Sequence, residues 1–187
     1  MNLVDTIEKE HSSAQRDRIV RHVGNNPKRF KELVTVFLNG PYRITQRSAW
    51  ALSYCIEHHP ELIKPHLKKI VQFAKKPGVH DSVKRNTVRL LQFITVPKNS
   101  QGLVADLSFA FLQDTKEPVA VRVFAMTVLV NLSKALPELK NELIPIIEDQ
   151  MPYGSPAFVS RGRKALKELS RTDYKFKVQD SKTGLQF

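Results

Sequence analysis

Arginines recur through this sequence at a spacing that could build a surface for binding anions. Arg47, Arg85, Arg122 and Arg161 are separated by 38, 37 and 39 residues, and small or apolar residues recur in the positions after each of them. The unit at Arg161 is the weakest, because Gly162 stands where the other units have an ordinary side chain. Guanidinium groups bind phosphates and carboxylates through charge-assisted hydrogen bonds, so recognition of an acidic partner is one interpretation. The other is structural: one arginine per repeat can bridge turns and cap carbonyls between repeats, and we prefer it for these four.

Further side chains complete a candidate binding face around these arginines. The remaining cations assigned to it are Arg43, Lys84, Arg89, Arg163, Lys164 and Lys167, which could equally form a plain solvated face. Trp50 and Tyr54 lie one helical turn apart and form a candidate aromatic platform for a nucleobase. Packing of both rings in the core is the preferred interpretation.

Histidines and the single cysteine raise the question of catalysis or metal binding. His58, His59 and His66 have only Glu61 as a nearby carboxylate, so we expect a solvated helix end rather than a metal site. Cys55 falls at apolar spacing, which favours a buried, unreactive thiol. The sequence also contains no Gly-rich phosphate loop, nucleophile elbow or paired-Cys zinc pattern. We therefore predict no catalytic residue, no metal and no cofactor, and expect a protein that is not an enzyme.

The spacing of the arginines indicates a repeated two-helix unit of about 40 residues. Apolar residues recur every three or four positions, and Pro and Gly fall at the joints between helices. The pattern predicts one or two amphipathic helices within residues 1–25, then helices at 27–39, 43–58, 61–75, 81–95, 101–113, 118–135, 138–150 and 157–170. Pro65 is expected near the first turn of its helix, and Pro145 is expected to bend or split its helix. No segment alternates as a strand would.

Composition limits the classes of protein to which this chain can belong. The 187 residues are 41% hydrophobic and 26% charged, which is ordinary for a soluble globular domain. A single cysteine excludes an internal disulfide, and the beginning of the chain does not resemble a secretory signal. No apolar run approaches the ~20 residues that span a bilayer. We expect a cytoplasmic monomer without membrane contact.

The net charge of +12 favours an acidic partner, either a protein or a nucleic acid. In a stack of two-helix units the second helices line the concave side. Summed over residues 43–58, 81–95, 118–135 and 157–171, those helices carry +9. The first helices at 101–114 and 138–150 carry −2 and −3. The sequence therefore predicts that positive charge is concentrated on one row of helices.

The repeated unit resembles a HEAT repeat, whose second helix carries Val-Arg followed by a ladder of small residues. The best match is Pro118-Val119-Ala120-Val121-Arg122-Val123-Phe124-Ala125, with Leu129 and Leu132 beyond it. The resemblance covers residues 27–170. It lacks the Asp that the family often places six residues before the Arg, because those positions hold Pro41, Val79, Lys116 and Ser155.

One enzymatic group with HEAT-like repeats is the alkylpurine-DNA glycosylases, which bind DNA on a basic concave surface and use Trp and Asp near the lesion. Here the single Trp50 has no acidic residue beside it, so the similarity is one of scaffold and charge only.

The resulting prediction is an all-α, right-handed α-α superhelix of about four HEAT-like repeats. Residues 1–170 are expected to form one solenoid domain with an N-terminal helical cap, and residues 171–187 a tail that contacts the last repeat through Tyr174, Phe176 and Val178. The expected function is non-catalytic binding of an acidic protein through a basic concave face. The alternative is a nucleic-acid-binding protein related to the glycosylases.

Overall fold

The computed structural model describes the backbone of residues 1–183 and the side chains of residues 1–171. The α-helices are α1 (Leu3–Lys9), α2 (Ser13–Val23), α3 (Pro27–Asn39), α4 (Tyr42–His58), α5 (Leu67–Ala74), α6 (Asp81–Leu91), α7 (Lys98–Gln113), α8 (Val119–Leu132), α9 (Lys140–Gln150) and α10 (Pro156–Thr183). Short 3₁₀ helices span Pro60–Ile63, Pro137–Leu139 and Met151–Tyr153. Residues 1–183 contain no strand, which confirms the all-α prediction.

The four repeat arginines all lie on second helices, as their spacing predicts. Arg47 is on α4, Arg85 on α6, Arg122 on α8 and Arg161 on α10. Each of these helices follows a first helix, and the joints carry the Pro and Gly residues that the sequence places there. The two-helix period is therefore a property of the structure as well as of the sequence.

Two segments that contain proline bear on the predicted helices: one differs from the prediction, and the other shows how its proline is accommodated. Residues 61–75 are not one helix, because a 3₁₀ turn ends at Ile63 and α5 begins only at Leu67. Pro65 lies in the gap between them, since its ring and missing N–H are incompatible with a helix interior. Pro145 is tolerated inside α9, which runs unbroken from Lys140 to Gln150 with the proline ring exposed.

The C-terminal helix is longer than predicted, since the sequence places its end at residue 170. Helix α10 continues to Thr183. Neither Gly nor Pro occurs between Gly162 and Gly184, so the sequence contains no stop signal over this stretch. The predicted contacts of Tyr174, Phe176 and Val178, and all of residues 184–187, lie outside what the structure describes.

By its contacts the chain divides into two compact units, Met1–Leu107 and Ser108–Phe187. In unit 1, α4 is the central helix and packs against α1, α2, α3 and α6. The core of this unit is built from side chains that are almost fully buried, among them Phe30, Phe37, Leu52, Ile56 and Ile70. Phe37 also meets Phe73 of α5 edge to face at 5.2 Å. These contacts fix α4 firmly in the unit, so side chains on its outer face have a rigid base.

Helix caps set where the first elements of unit 1 begin. The side chains of Asn2, Ser12 and Asn26 accept hydrogen bonds from the first free N–H groups of α1, α2 and α3. Pro27 then occupies the first turn of α3, where a missing N–H costs nothing. His80 caps α6 through Nδ1, which accepts from the Ser82 N–H at 3.0 Å.

In unit 2, α10 packs against α8 and α9. Phe158, Ala165 and Leu169 of α10 are buried, as are Ala125 and Leu129 of α8. Gly162 permits this close approach, since a Cβ there would lie only 3.0 Å from Sδ of Met151. The glycine that interrupts the repeat pattern in the sequence is therefore explained by packing between helices.

Candidate binding surface

The outer face of α4 carries a row of basic and aromatic side chains. Arg43, Arg47, Trp50 and Tyr54 follow one another at intervals of four, three and four residues, which places them on one face of the helix. Arg43 is exposed, whereas the other three are half-buried. On the neighbouring helix α6, Ser82, Arg85 and Arg89 recur at similar intervals. We call these residues together the α4–α6 surface.

The aromatic rings of this surface are covered by guanidinium groups. Tyr54 meets Trp50 edge to face, with ring centroids 6.4 Å apart. The guanidinium carbon of Arg16, from α2, lies 4.0 Å from the Tyr54 centroid, and that of Arg89 lies 4.2 Å from it. Arg16 also lies 4.7 Å from the Trp50 ring. Such cation–π contacts stabilise the arrangement and occupy ring surface that a nucleobase would need.

Two acidic side chains near this surface, Glu57 and Asp17, are already paired within the protein. Arg89 donates to Glu57 Oε2 at 2.6 Å and to the Ser53 hydroxyl at 3.2 Å. Arg16 forms an ion pair with Asp17 at 2.7 Å. By contrast, Arg43 and Arg85 make no hydrogen bond or ion pair with any residue that the structure describes. Their charges are therefore available to a ligand.

A small polar pocket lies where the two helices meet. It encloses about 160 Å³ and is lined by His11, Gln46, Trp50, Ser82, Arg85 and Asn86. A second, much smaller cavity beside it is lined by His11, Arg16, Arg47, Trp50 and Glu10, among others. The pocket brings together predicted site residues from both helices, Trp50 of α4 and Arg85 of α6.

His11, in the lining of the pocket, is partly buried and lies near two arginine charges. Burial lowers the pKa of His11 below its ordinary value of 6.5, and the charges of Arg47 and Arg85 lower this pKa further. Both guanidinium groups therefore act on the same imidazole. At neutral pH His11 is uncharged, and its ring packs edge to face on Trp50 at 5.3 Å.

Arg47 has a structural role as well. Its Nη1 donates to the backbone carbonyls of Ile7 and Glu8, at 3.1 and 2.8 Å. These carbonyls lie at the C-terminal end of α1, where a helix lacks internal donors. Arg47 therefore caps α1, in agreement with the role preferred from the sequence.

In unit 2, Arg122 is buried rather than part of an open binding face. Only 8% of the residue is exposed. It donates to Gln150 Oε1 at 2.6 Å and to the Leu112 carbonyl at 3.4 Å, and lies 4.5 Å from the Phe158 ring centroid. Burial lowers the pKa of Arg122, and Asp114 opposes that shift. Arg122 thus joins α8 to its neighbours and is unsuited to contact a partner.

Helix α10 carries the exposed cations of unit 2. Arg163, Lys164 and Lys167 are exposed, whereas Arg161 is half-buried and pairs with Glu168 at 3.1 Å. Lys84, the remaining predicted site residue, is half-buried on α6 and has an interaction partner within the protein. The predicted site residues therefore fall into two groups, one in each unit.

Positive charge is not confined to second helices, so that prediction needs correction. Exposed basic residues also occur on α3 and α5 and before α5, namely Lys28, Arg29, Lys31, Lys64, Lys68 and Lys69. The first helices near residues 101–114 and 138–150 are acidic, but the exposed basic residues on α3 and α5 show that other first helices are not. The α4–α6 surface combines its charge with a pocket that one of its arginines, Arg85, lines.

The residues considered for metal binding or nucleophilic chemistry lie in ordinary environments. Cys55 is buried, as predicted, and burial raises the pKa of its thiol to about 12. His66 packs against Phe30 at 5.7 Å, and His59 lies 3.9 Å from Glu61. Within the described residues no cluster of His, Cys, Asp or Glu could hold a metal ion.

Several residues of the surface were missed from the sequence. His11 lies in the connection between α1 and α2, and Arg16 reaches the surface from α2, so both depend on tertiary packing without a local signal. Gln46 and Asn86 have such a local signal. Gln46 lies four residues before Trp50 on α4, and Asn86 lies four residues after Ser82 on α6, so each pair shares a helix face.

Comparisons with known proteins bear on the fold. A profile of the HEAT repeat domain matches residues 3–169. No curated protein matches the sequence. A crystal structure of an engineered protein is similar, with a TM-score of 0.61 and 14% sequence identity over 91% of this chain and 78% of that one. That likeness concerns the fold alone. No helix within the described residues is long and apolar enough to cross a membrane.

Proposed function

We propose that this chain is a non-catalytic scaffold module that holds an acidic protein segment on its α4–α6 surface. The chain belongs to the HEAT repeat domain family. HEAT repeats generally serve as scaffolds or protein-interaction modules. The general role therefore comes from the family, and the finer proposal concerns which surface is used and what it binds.

The observation that carries this proposal is the state of the charges on the α4–α6 surface. Arg43 and Arg85 are exposed and have no partner among the described residues. The nearby carboxylates Glu57 and Asp17 are taken by Arg89 and Arg16. An acidic segment would add counter-charges that the protein itself does not supply, which favours both fast association and the correct register.

A protein partner is favoured over a nucleic acid by the aromatic residues. Single-stranded nucleic acids gain much of their binding energy by stacking bases on open aromatic rings. Arg16 and Arg89 cover Tyr54, and Arg16 and His11 pack on Trp50. Stacking a base on either ring would require breaking these contacts, whereas an acidic peptide would pair with Arg43 and Arg85, which take no part in them.

Cys55 is unsuited to act as a nucleophile. A thiol with a pKa raised to about 12 carries almost no thiolate at neutral pH, and the thiolate is the reactive form.

The alternative function, nucleic-acid binding, rests on a different observation. Arg163, Lys164 and Lys167 are exposed close together on α10, and the net charge of the chain is +12. Contacts between such cations and phosphates give an affinity that falls steeply with salt.

The test compares two double variants that each lose two positive charges. Arg43→Gln with Arg85→Gln alters the α4–α6 surface, and Lys64→Gln with Lys68→Gln removes exposed charges from the region of α5. Binding is measured by fluorescence anisotropy with a labelled Glu-rich dodecapeptide and with a labelled DNA duplex of similar length. We expect the first variant to weaken peptide binding several-fold and the second to leave it nearly unchanged.

Equal losses in the two variants would contradict the proposal, because they would indicate attraction by net charge alone. If the duplex binds more tightly than the peptide and Lys164→Ala weakens it on any sequence alike, the nucleic-acid alternative replaces the proposal.

A further inference from the structure

The pocket between α4 and α6 has a lining suited to one particular chemical group. Five of its six lining residues, His11, Gln46, Ser82, Arg85 and Asn86, carry polar side chains with nitrogen or hydroxyl groups. No carboxylate lines it, because Glu10 belongs to the smaller neighbouring cavity. The pocket therefore offers the guanidinium of Arg85, a polar surround and no negative charge, which suits an oxyanion.

Two arginines contribute positive charge at the pocket. Arg85 lines the pocket and has no partner in the described part of the chain. Arg47 lies beside the same imidazole as Arg85, and the only hydrogen bonds it donates to described residues go to the carbonyls of α1. A ligand in the pocket would thus meet one free guanidinium and the field of a second.

The walls of the pocket are held in place before any ligand arrives. Asn86 is buried, donates from Nδ2 to the Ser82 carbonyl at 2.7 Å, and accepts from the Ser53 hydroxyl at 3.2 Å. The Gln46 amide lies 3.2 Å from Nε2 of His80, whose Nδ1 caps α6. A site that is already ordered loses little entropy on binding.

We propose that this pocket binds the phosphoryl group of a phosphorylated serine or threonine in the acidic segment of the protein partner. The inference rests on the proposed function and specifies its central contact. A phosphomonoester carries a charge of about −1.5 to −2 near pH 7 and three acceptor oxygens. The planar fork of Arg85 matches two of those oxygens, and a volume of about 160 Å³ leaves room for the tetrahedral group.

A carboxylate fits this pocket less well than a phosphoryl group. It has two oxygens and a single charge, so it would gain less from the charges of Arg85 and Arg47 than a phosphoryl group would. A nucleic-acid phosphodiester also carries only one charge, and its neighbouring bases would find Trp50 and Tyr54 already covered by arginine side chains.

The chain provides its own reporter for the test. Trp50 is its only tryptophan and lines the pocket, so both its fluorescence and its indole N–H signal in an NMR spectrum report on occupancy. The probes are a Glu-rich dodecapeptide with a central serine and the same peptide phosphorylated on that serine. Inorganic phosphate serves as a competitor that has no peptide contacts.

We expect the phosphorylated peptide to bind about tenfold more tightly than the unmodified one and to shift the Trp50 signals. Inorganic phosphate should reduce that advantage. Arg85→Gln should abolish it, whereas Arg21→Gln should preserve it. Arg21 is an exposed arginine on α2 outside the pocket lining, so it is a control for the same loss of charge.

Equal binding of the two peptides, or an advantage that survives Arg85→Gln, would overturn the inference while leaving the proposed function intact. If neither peptide binds, both the inference and the proposed function fail. Displacement of the phosphopeptide by an unlabelled DNA duplex, again through Arg85, would overturn the inference in favour of a nucleic-acid phosphate.

Discussion

The same repeat position serves different purposes in the two units of the molecule. In unit 2, Arg122 is buried and donates to Gln150, and Arg161 pairs with Glu168. In unit 1, Arg47 donates only to backbone carbonyls, and Arg85 is exposed and unpaired among the described residues. The surrounding residues, not the repeat position itself, therefore decide whether an arginine stabilises the fold or is available to a ligand.

The comparison also separates burial from electrostatic availability. Arg122 is buried, donates hydrogen bonds to Gln150 and Leu112, and lies against the Phe158 ring, so its charge is used within unit 2. Arg85 remains hydrated and adds its field to a small polar pocket. Variants at these positions should therefore divide cleanly into effects on stability and effects on binding.

The largest effect is expected for Arg122→Ala. The change leaves the Gln150 and Leu112 oxygens without their donor and opens a cavity beside Phe158. Losses of this kind cost about 2–4 kcal/mol of unfolding free energy. Urea denaturation followed by circular dichroism measures the change.

Arg163→Ala provides the matched control for Arg122→Ala, because it removes one exposed arginine from the same unit. Its unfolding free energy should stay within about 0.5 kcal/mol of the original value. Similar losses in both variants would mean that Arg122 contributes through charge rather than through its buried contacts.

A smaller effect is expected for Arg47→Ala in unit 1. Without the guanidinium, the carbonyls of Ile7 and Glu8 lose their donor, which should cost about 1–2 kcal/mol. The loss should be local to α1, since Arg47 joins that helix to α4. Amide hydrogen exchange should therefore quicken in Leu3–Lys9 before it changes elsewhere.

Arg85→Ala tests the opposite half of the comparison at the equivalent repeat position. Because Arg85 is exposed and unpaired within the described chain, its removal should change the unfolding free energy by no more than about 0.5 kcal/mol. A loss as large as that of Arg47→Ala would show that Arg85 has a structural role after all.

Much of the fold follows from local signals in the sequence. Helix α3 occupies the predicted residues 27–39, since Asn26 and Pro27 open it and Gly40 follows its last residue. The end of α10 differs from the prediction because the helical periodicity is weak after residue 170, although no Gly or Pro ends the helix there. The break within residues 61–75 is not predictable from the sequence, because a proline near the predicted start of a helix can lie just before the first residue of that helix.

The binding surface was only partly predictable, and for a physical reason. The positions of Arg43, Trp50 and Tyr54 on one face of α4 follow from helical spacing. The placement of Arg16 over Tyr54 and of His11 against Trp50 depends on how α2 packs against α4. No periodicity encodes such contacts, so the sequence could identify a charged row but could not locate its pocket.

The smallest and most local prediction concerns the pKa of His11. Burial lowers this pKa below 6.5, and the charges of Arg47 and Arg85 lower it further. Glu10 lines the same small cavity as the His11 ring. Because the folded value lies below the unfolded one, His11 costs stability as the pH falls below about 6.5 and costs none well above it. Arg85→Gln removes one unfavourable charge, so the pKa of His11 should rise toward its ordinary value.

An NMR titration of the histidine ring protons measures this pKa in each variant. Arg163→Gln, which removes an equal charge from α10, should leave the pKa of His11 where it is. The loss of stability on acidification should also become shallower in Arg85→Gln, since less free energy is then required to protonate the folded state. If the pKa of His11 does not move in Arg85→Gln, the field of Arg85 does not reach the pocket. A phosphoryl group placed there would then lack the cation on which its binding depends.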